Sequence, residues 1–510
     1  MIIYNPVTPI QPTIISRKEH SISRKWISPN AVRVLYHLKE KGYHAYLVGG
    51  GVRDLLLGRE PKDFDIATDA KPNEVKKVFR NCRLIGRRFR LAHIHFHDEI
   101  IEVATFRSMA SDETAAEPAP TAYEQSPVLQ TSEPGGQKAD IHETGTLSSL
   151  LELNSGQACA GTIEGALPVA PRRSKPPRML RDAEGMILRD NVFGTPEEDA
   201  LRRDFTVNAL FYNIADFSVI DYVGGMKDLH RGLIRIIGDP SVRFTEDPVR
   251  MVRAVRFSAM LGFEIEENTY RAILELKDRV ALASPARMYE EVLKLFLLGE
   301  GEKTYQLLRK TGLFGVIFPR LNEWADTESG GFPHTWIGKA LEWVDTCVLA
   351  GRKVEPHIMF ALMFGQFIEE KAAVLRNESA LPLDAMTRAV AEVFAEQTLR
   401  VQIPKKIGLA MREMYWNQHR FTKREGKYPR YFLRRPGFAD AFEYLRFTSE
   451  LTGENLDLRA WWKEYIRNNP ISHGEKKEIQ KSAERRARPK RRRRRRPGKG
   501  RSVAPNPGKK

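Results

Sequence analysis

A chain of 510 residues predicts about three domains, its 42% hydrophobic content supplies ordinary cores, and no run of about 18 apolar residues is present to span a membrane. The start, Met1-Ile2-Ile3-Tyr4-Asn5-Pro6, lacks a secretory pattern, and three scattered cysteines, Cys82, Cys159 and Cys347, exclude a disulfide framework or cysteine zinc site and fit a reducing cytoplasm. Of the net charge of +17, residues 476–510 carry +15 through 17 Lys/Arg against two Glu, so the basicity belongs to a tail.

Residues 1–27, with Pro6, Pro9 and Pro12, are expected to form a flexible lead. Pro29 to Lys41 predicts a helix with Ser28 as its cap. Tyr46-Leu47-Val48 predicts a short strand, Gly49-Gly50-Gly51 a tight turn, and Val52 to Leu57 the first turns of a helix. A strand–glycine turn–helix presents bare N–H donors and a positive helix end to an anion. Arg53 adds a guanidinium fork for phosphate oxygens, unless Asp54 holds it. In Asp63-Phe64-Asp65, strand alternation puts both carboxylates on one face and Phe64 on the other. Two such acids make a hard-oxygen donor pair for divalent metal. A solvated surface strand is the plain alternative, and the glycine turn just upstream speaks against it.

Pro72 to Arg80 predicts a further helix. Leu84 to His93 packs Arg87, Arg88 and Arg90 around Phe89, either as a solvated hairpin arm or as a basic aromatic approach for nucleotide or RNA. Leu91 to Phe96 and Ile100 to Phe106 predict paired strands about a His97-Asp98 turn. Glu102 in that apolar strand is unfavourable unless paired or metal-bound. It supports the acidic pair, orients an arginine, or makes a structural salt bridge, and Arg107 carries the same alternatives. His93 and His95 read as structural.

Residues 111–170 hold nine Asp/Glu and one Lys among Pro, Ser, Thr, Gly and Ala. They predict a disordered acidic insertion reaching to about residue 180, with Leu147 to Leu153 as a transient helix. Arg202-Arg203-Asp204-Phe205-Thr206-Val207-Asn208-Ala209 is a dense polar cluster beside an expected apolar helix, Ala209 to Tyr212. In one reading Asp204 completes a three-carboxylate metal site while Arg203 and Asn208 hold phosphate and ribose; in the other it is a cap plus surface charges. Val219 to Val223 predicts a strand. In Glu246-Asp247-Pro248-Val249-Arg250, Asp247 is an N-cap and also lies one turn from Arg250, where acceptor and fork can read a base edge. From Asp247 to about Asn469 the pattern is helical. The final run Arg491, Arg492, Arg493, Arg494, Arg495 and Arg496 suits a polyanion.

Gly49 to Asp54 with Asp63-Phe64-Asp65, Arg202 to Thr206, and Glu246 to Arg250 together resemble the bacterial class II nucleotidyltransferases, which include CCA-adding enzymes and poly(A) polymerases. Leu84 to His93 and the arginine-rich end resemble the poly(A) polymerase branch. The resemblance covers about residues 28–108 and 186–320 strongly and the remainder loosely.

It implies an α+β protein: a small polymerase-beta-like α/β head at 28–222, a helical neck at 223–300 contacting RNA and the nucleotide base, a helical RNA-binding body at 301–475, and an Arg-rich disordered tail at 476–510. It implies Asp63, Asp65 and Asp204 as catalytic carboxylates, with Asp63 and Asp65 on two Mg²⁺ ions (Mn²⁺ as the alternative) and Glu102 and Arg107 supporting. Gly49, Gly50, Arg53, Arg203, Asn208, Asp247, Arg250 and Arg253 would bind ATP. Arg87, Arg88 and the arginine run would bind single-stranded RNA 3′ ends. The implied activity is template-independent addition of AMP from ATP, serving RNA polyadenylation and decay beside RNA-decay proteins. The rivals are CCA addition to tRNA and a non-catalytic RNA-binding protein of the same fold. Anionic lipid is a second polyanion for the tail.

Overall fold

The computed structural model describes residues 11–86, 90–108, 180–181, 187–189, 192–328, 331–332, 335–378, 381–472 and 474–475. Arg87, Arg88, Arg491 to Arg496, Leu147 to Leu153, the tail, and the expected insertion up to residue 179 lie outside these.

The head is built on an eight-stranded mixed sheet. Its strands are β1 (Thr13–Ile15), β2 (Ala45–Val48), β3 (Asp65–Thr68), β4 (Cys82–Ile85), β5 (Leu91–His95), β6 (Ile100–Thr105), β9 (Leu210–Asn213) and β10 (Val219–Asp221). A separate hairpin pairs β7 (Leu180–Arg181) with β8 (Ile187–Arg189). The sheet order is β1-β10-β9-β2-β3-β6-β5-β4. β2 runs antiparallel to both β3 and β9, whereas β3 and β6 are parallel with Asp65 opposite Glu102. Leu47, Ile66, Ala92 and Val103 sit on the buried face, under α1 (Pro29–Glu40) and α3 (Pro72–Val78). Ser28 caps α1 by accepting from the Asn30 and Ala31 amides.

Two expectations are corrected here. Residues 13–15 form an edge strand against β10, and Ile22 and Ile27 are buried, so this stretch belongs to the head and not to a flexible lead. The apolar run after Asn208 is not a helix: it is β9, sandwiched between β2 and β10 with Leu210, Phe211 and Tyr212 all buried. A strand covered on both faces reads as a continuous apolar run, which a run this short shares with a buried helix turn.

Helix α2 (Gly50–Leu56) follows β2, and α4 (Pro196–Arg202) and α5 (Gly225–Arg231) flank the last head strands. The neck contains α6 (Pro240–Glu246), α7 (Val249–Leu261), α8 (Glu267–Leu276) and α9 (Pro285–Phe296). It is not all helical, because β11 (Leu233–Ile234) and β12 (Glu264–Ile265) pair in parallel. Beyond it the chain is helical, from Gly301–Lys310 to Leu456–Asn468. One hydrophobic core runs from Val52 in the head through Val252 in α7 to Phe364 in the body, while Phe421, Phe432, Phe438 and Trp462 centre a second. Among the described residues no helix is long and apolar enough to cross a membrane.

Candidate active site at the head–neck cleft

The turn after β2 is glycine-dependent. Gly49 has φ +73°, a region L side chains rarely adopt. A Cβ on Gly49 would sit 3.6 Å from both Asp65 Oδ2 and Arg203 Nη1, so this glycine marks where a carboxylate and a guanidinium converge. A Cβ on Gly51 would approach the Asp63 carbonyl to 3.3 Å, so the bare glycine lets α2 start hard against the acidic strand.

Asp63 is exposed and Phe64 is buried in the core, both just before β3, which begins at Asp65 and not at Asp63 as expected. Burial, then the neighbouring Asp63 and Glu102 charges, push the Asp65 carboxyl up to about 6, with Arg203 opposing. Burial and neighbouring carboxylates thus outweigh the nearby Arg203 guanidinium. A pair of oxygen-donor side chains facing open space suits Mg²⁺, which takes one or two carboxylates and completes its shell with phosphates and water. Glu102 stands beside Asp65 across the ladder, but its carboxylate lies 2.9 Å from His93 Nε2, and it does not line the cleft. Arg107 does not line it either; its amide donates to Asp199 Oδ1.

Asp204, expected as the third carboxylate, is bonded within the protein. Arg253 reaches its Oδ2 through Nη2 at 2.5 Å and Nε at 2.8 Å, while Oδ1 accepts from the Phe205 amide at 2.9 Å and from Asn208 Nδ2 at 3.4 Å. Burial alone would raise its pKa, but Arg253 and these hydrogen bonds outweigh it and bring the carboxyl down to about 2. Among the described residues no group of three His, Cys, Asp or Glu is placed to hold a metal ion. The carboxylate is engaged in an ion pair between head and neck.

Arg53 and Asn208 are likewise committed within the protein. Arg53 is buried; its Nε and Nη2 bind Asp54 at 2.8 and 2.7 Å, and its Nη1 donates to Asn208 Oδ1 at 2.7 Å. The chain Asp54–Arg53–Asn208–Asp204–Arg253–Glu291 thus links α2 through the turn after α4 to α7 and α9, closing with Arg253 Nη1 3.6 Å from Glu291. Arg203 is oriented by Asp199, with Nη2 at 2.9 Å, and lies over the Phe211 ring.

On the neck side, Asp247 does act as a cap, accepting weakly from the Val249 amide at 3.3 Å. The Asp247 and Arg250 side chains are each held by another residue. Arg287 on α9 clamps both Asp247 oxygens at 2.7 Å, and Arg250 Nη1 binds Glu246 at 3.2 Å. Each is therefore held in one orientation by a second residue.

All eleven cleft residues expected on the head and neck line one open cleft of ≈ 740 Å³: Gly49, Gly50, Arg53, Asp63, Asp65, Arg203, Asp204, Asn208, Asp247, Arg250 and Arg253. Sequence reasoning missed Arg59, Lys62, Arg256, Phe257, Arg287 and Lys294 there. Phe257 lies under three guanidiniums, with Arg256, Arg53 and Arg253 at 4.3, 5.3 and 5.4 Å from its centroid. Its helical spacing reads as core, and nothing local announces that role. The lining carries nine Lys/Arg against six Asp/Glu, an excess suited to a polyphosphate even though several of these cations are already tethered.

The chain matches the family models described as the Poly A polymerase head domain at residues 45–235, the probable RNA and SrmB-binding site of polymerase A at 262–325, and the polymerase A arginine-rich C-terminus at 378–498. It is similar to the poly(A) polymerase I of Escherichia coli O6:H1, with 40% identity over 94% of this chain and 92% of that protein. It is more distantly similar to the CCA-adding enzyme of Bacillus velezensis, with 27% identity over 72% and 76% of the two chains. The crystal structure of the Bacillus stearothermophilus CCA-adding enzyme in complex with CTP superposes with a TM-score of 0.51 at 22% identity, covering 87% of this chain and 84% of that one, a likeness of fold. With 40% identity carried across nearly its whole length, the chain belongs to the family of bacterial poly(A) polymerases.

Proposed function

We propose that this protein adds AMP from ATP to RNA 3′ ends without a template, releasing pyrophosphate. The observation that carries the reading is the convergence of the Asp63/Asp65 pair, the Gly49 turn and the clamped Asp247 and Arg250 on one cation-rich cleft. Asp63 and Asp65 would hold two divalent ions, Mg²⁺ or alternatively Mn²⁺, which when bound supply a lowered pKa for the attacking 3′-hydroxyl and neutralise charge on the departing pyrophosphate.

Gly49 and Gly50 leave room for the triphosphate backbone, and Arg203 presents a guanidinium at the same point. Lys62 is exposed, with no partner among the described residues, and would meet the outer phosphates. Arg53, Asn208 and Asp204 would hold this wall rigid from behind, so that phosphate and reacting hydroxyl meet in one geometry. Incubating the protein with labelled ATP, Mg²⁺ and an oligo(A) primer tests the reading. Long heterogeneous products support it, a fixed short addition restricted to tRNA points to the CCA-adding chemistry, and no incorporation leaves an RNA-binding protein.

Base choice would rest on Asp247 and Arg250. Adenine offers a donor at N6 and an acceptor at N1, and a carboxylate with a guanidinium matches both. Arg287 fixes the Asp247 carboxylate in one orientation. A site with fixed polar partners rejects the wrong base because its own groups are left unpaired. Arg250→Ala is expected to raise the KM for ATP about tenfold and to relax discrimination against the other three nucleotides, at an effect of roughly 1–3 kcal/mol. Unchanged discrimination would place base reading elsewhere.

The basic tail would supply a length-independent hold on RNA. Its 17 Lys/Arg release counterions on binding. Deleting residues 476–510 is expected to weaken RNA binding and flatten its salt dependence by several units of slope, leaving transfer to short primers intact. An unaltered slope would assign the electrostatic contact to the body.

A further inference from the structure

The strongest surface feature outside the cleft lies in the second hydrophobic core. Between Arg420 and Arg435 the chain carries seven Lys/Arg and one acid, Glu425, with Phe421, Tyr428, Tyr431 and Phe432 interleaved. Ordinary solvated faces mix signs; elsewhere on the body Arg320, Lys371 and Arg446 all pair with glutamates. Here Lys423, Lys427 and Arg430 are exposed and have no carboxylate partner among the described residues. The short helix Tyr428–Leu433 explains the display. Phe432 and Leu433 are buried against Phe421 and Trp462, which leaves neighbouring Tyr431 64% exposed.

The surroundings are stiff. Trp462 Nε1 donates to the Phe421 carbonyl at 2.8 Å, and Tyr428 stacks on Phe432 with centroids 6.1 Å apart. Lys423 Nζ stands 5.6 Å from the Tyr428 centroid, and Arg420 donates to its hydroxyl. At the edge of the patch, Arg434 Nε binds Glu475 at 2.8 Å, the residue immediately before the basic tail.

We propose that Arg420–Arg435 is a single-stranded RNA platform for nucleotides upstream of the 3′ end, with a base stacked on Tyr431 and phosphates held by Lys423, Lys427 and Arg430. An exposed aromatic ring set among unpaired cations is the chemistry that takes a base face and its flanking phosphates. A membrane would require apolar side chains to insert, and Tyr431 is the one exposed large hydrophobic in this segment. The inference rests on the RNA-tailing reading, and it differs from the tail's role because stacking resists salt whereas a charge run does not.

The test uses the full-length chain with Tyr431→Ala, Tyr431→Phe and the double variant Lys427→Glu/Arg430→Glu, each checked for wild-type melting. AMP transfer is measured to oligo(A) primers from about 4 to about 30 nucleotides, and binding of the same labelled primers is measured directly without ATP. Tyr431→Ala is expected to raise KM and Kd for long primers about tenfold, leaving kcat, the KM for ATP, the shortest primers and the salt slope unchanged. Tyr431→Phe restores wild-type behaviour, and the double variant lowers the salt slope by about 1–2 units. Long-primer values within twofold of wild type in both Tyr431→Ala and the double variant would overturn the platform, as would a loss equal at every primer length. A wild-type protein that transfers no AMP would instead overturn the functional reading, and the direct binding measurement would still decide the platform.

Discussion

Replacing Asp65 with alanine is expected to reduce AMP incorporation by roughly 10³-fold, the scale for losing a main electrostatic contributor to the transition state, while melting no lower than wild type. The two halves of this expectation have one cause. Asp65 is half-buried beside Asp63 and Glu102, and desolvation followed by those two charges pushes its carboxyl up to about 6. A carboxylate with a raised folded pKa opposes folding at neutral pH, and removing it relieves that repulsion. The same crowding of negative charge would receive a divalent cation, so the residue that weakens the apoprotein would be the one the proposed chemistry uses.

Mg²⁺ adds a readout independent of turnover. Wild-type protein should melt higher as Mg²⁺ is added in the presence of ATP, by mass action on the folded state, and Asp65→Ala should lose most of that increment. A folded Asp65→Ala protein that tails RNA near the wild-type rate would remove the acidic pair from the mechanism.

The second large effect is structural. Arg253→Ala should destabilise the protein by about 3–5 kcal/mol, the usual result of leaving a buried charge without its partner. Arg253 bonds Asp204 at 2.5 and 2.8 Å and stands 3.6 Å from Glu291, whose side chain is only 7% exposed. Asp204 belongs to the head, whereas Arg253 and Glu291 belong to neck helices, so one guanidinium closes two elements of the cleft together.

The pH dependence follows with a definite sign. The folded pKa of Asp204 is depressed from 3.8 to about 2. Its contribution is present above the unfolded value and is lost as pH falls through the folded one. Arg253→Ala should therefore lose its difference from wild type in acid. Pairing Arg253→Met with Asp204→Asn should be less damaging than the sum of the single changes, since neither charge is then orphaned. Thermal or urea unfolding followed across pH checks both points; a loss under about 1 kcal/mol at neutral pH would mean that this ion pair does not hold head and neck together.

Much of the site was legible in the sequence because its backbone chemistry is local. A positive φ at Gly49, the alternation in Asp63-Phe64-Asp65, the Ser28 cap and the Asp247-Pro248 corner each depend on a few adjacent residues. Steric rules and short-range hydrogen bonds act at that range. The strand at Leu210–Asn213 was missed because a short apolar segment carries no period of its own.

What only the tertiary structure decided is which charge answers which. Asn208 meets Arg53 from 155 residues away, Arg253 meets Asp204 across 49, and Arg287 meets Asp247 across 40. The chemical types of all but Arg287 announced a polar site, and so those were expected to face a ligand. Once helices from head and neck pack, a buried charge takes the nearest partner available, because desolvation penalises any that stays alone. The local motifs determined the acidic pair, and the family resemblance they carry implied the fold class and one shared site; packing determined that Asp204, Arg53 and Asn208 bond to partners within the cleft wall.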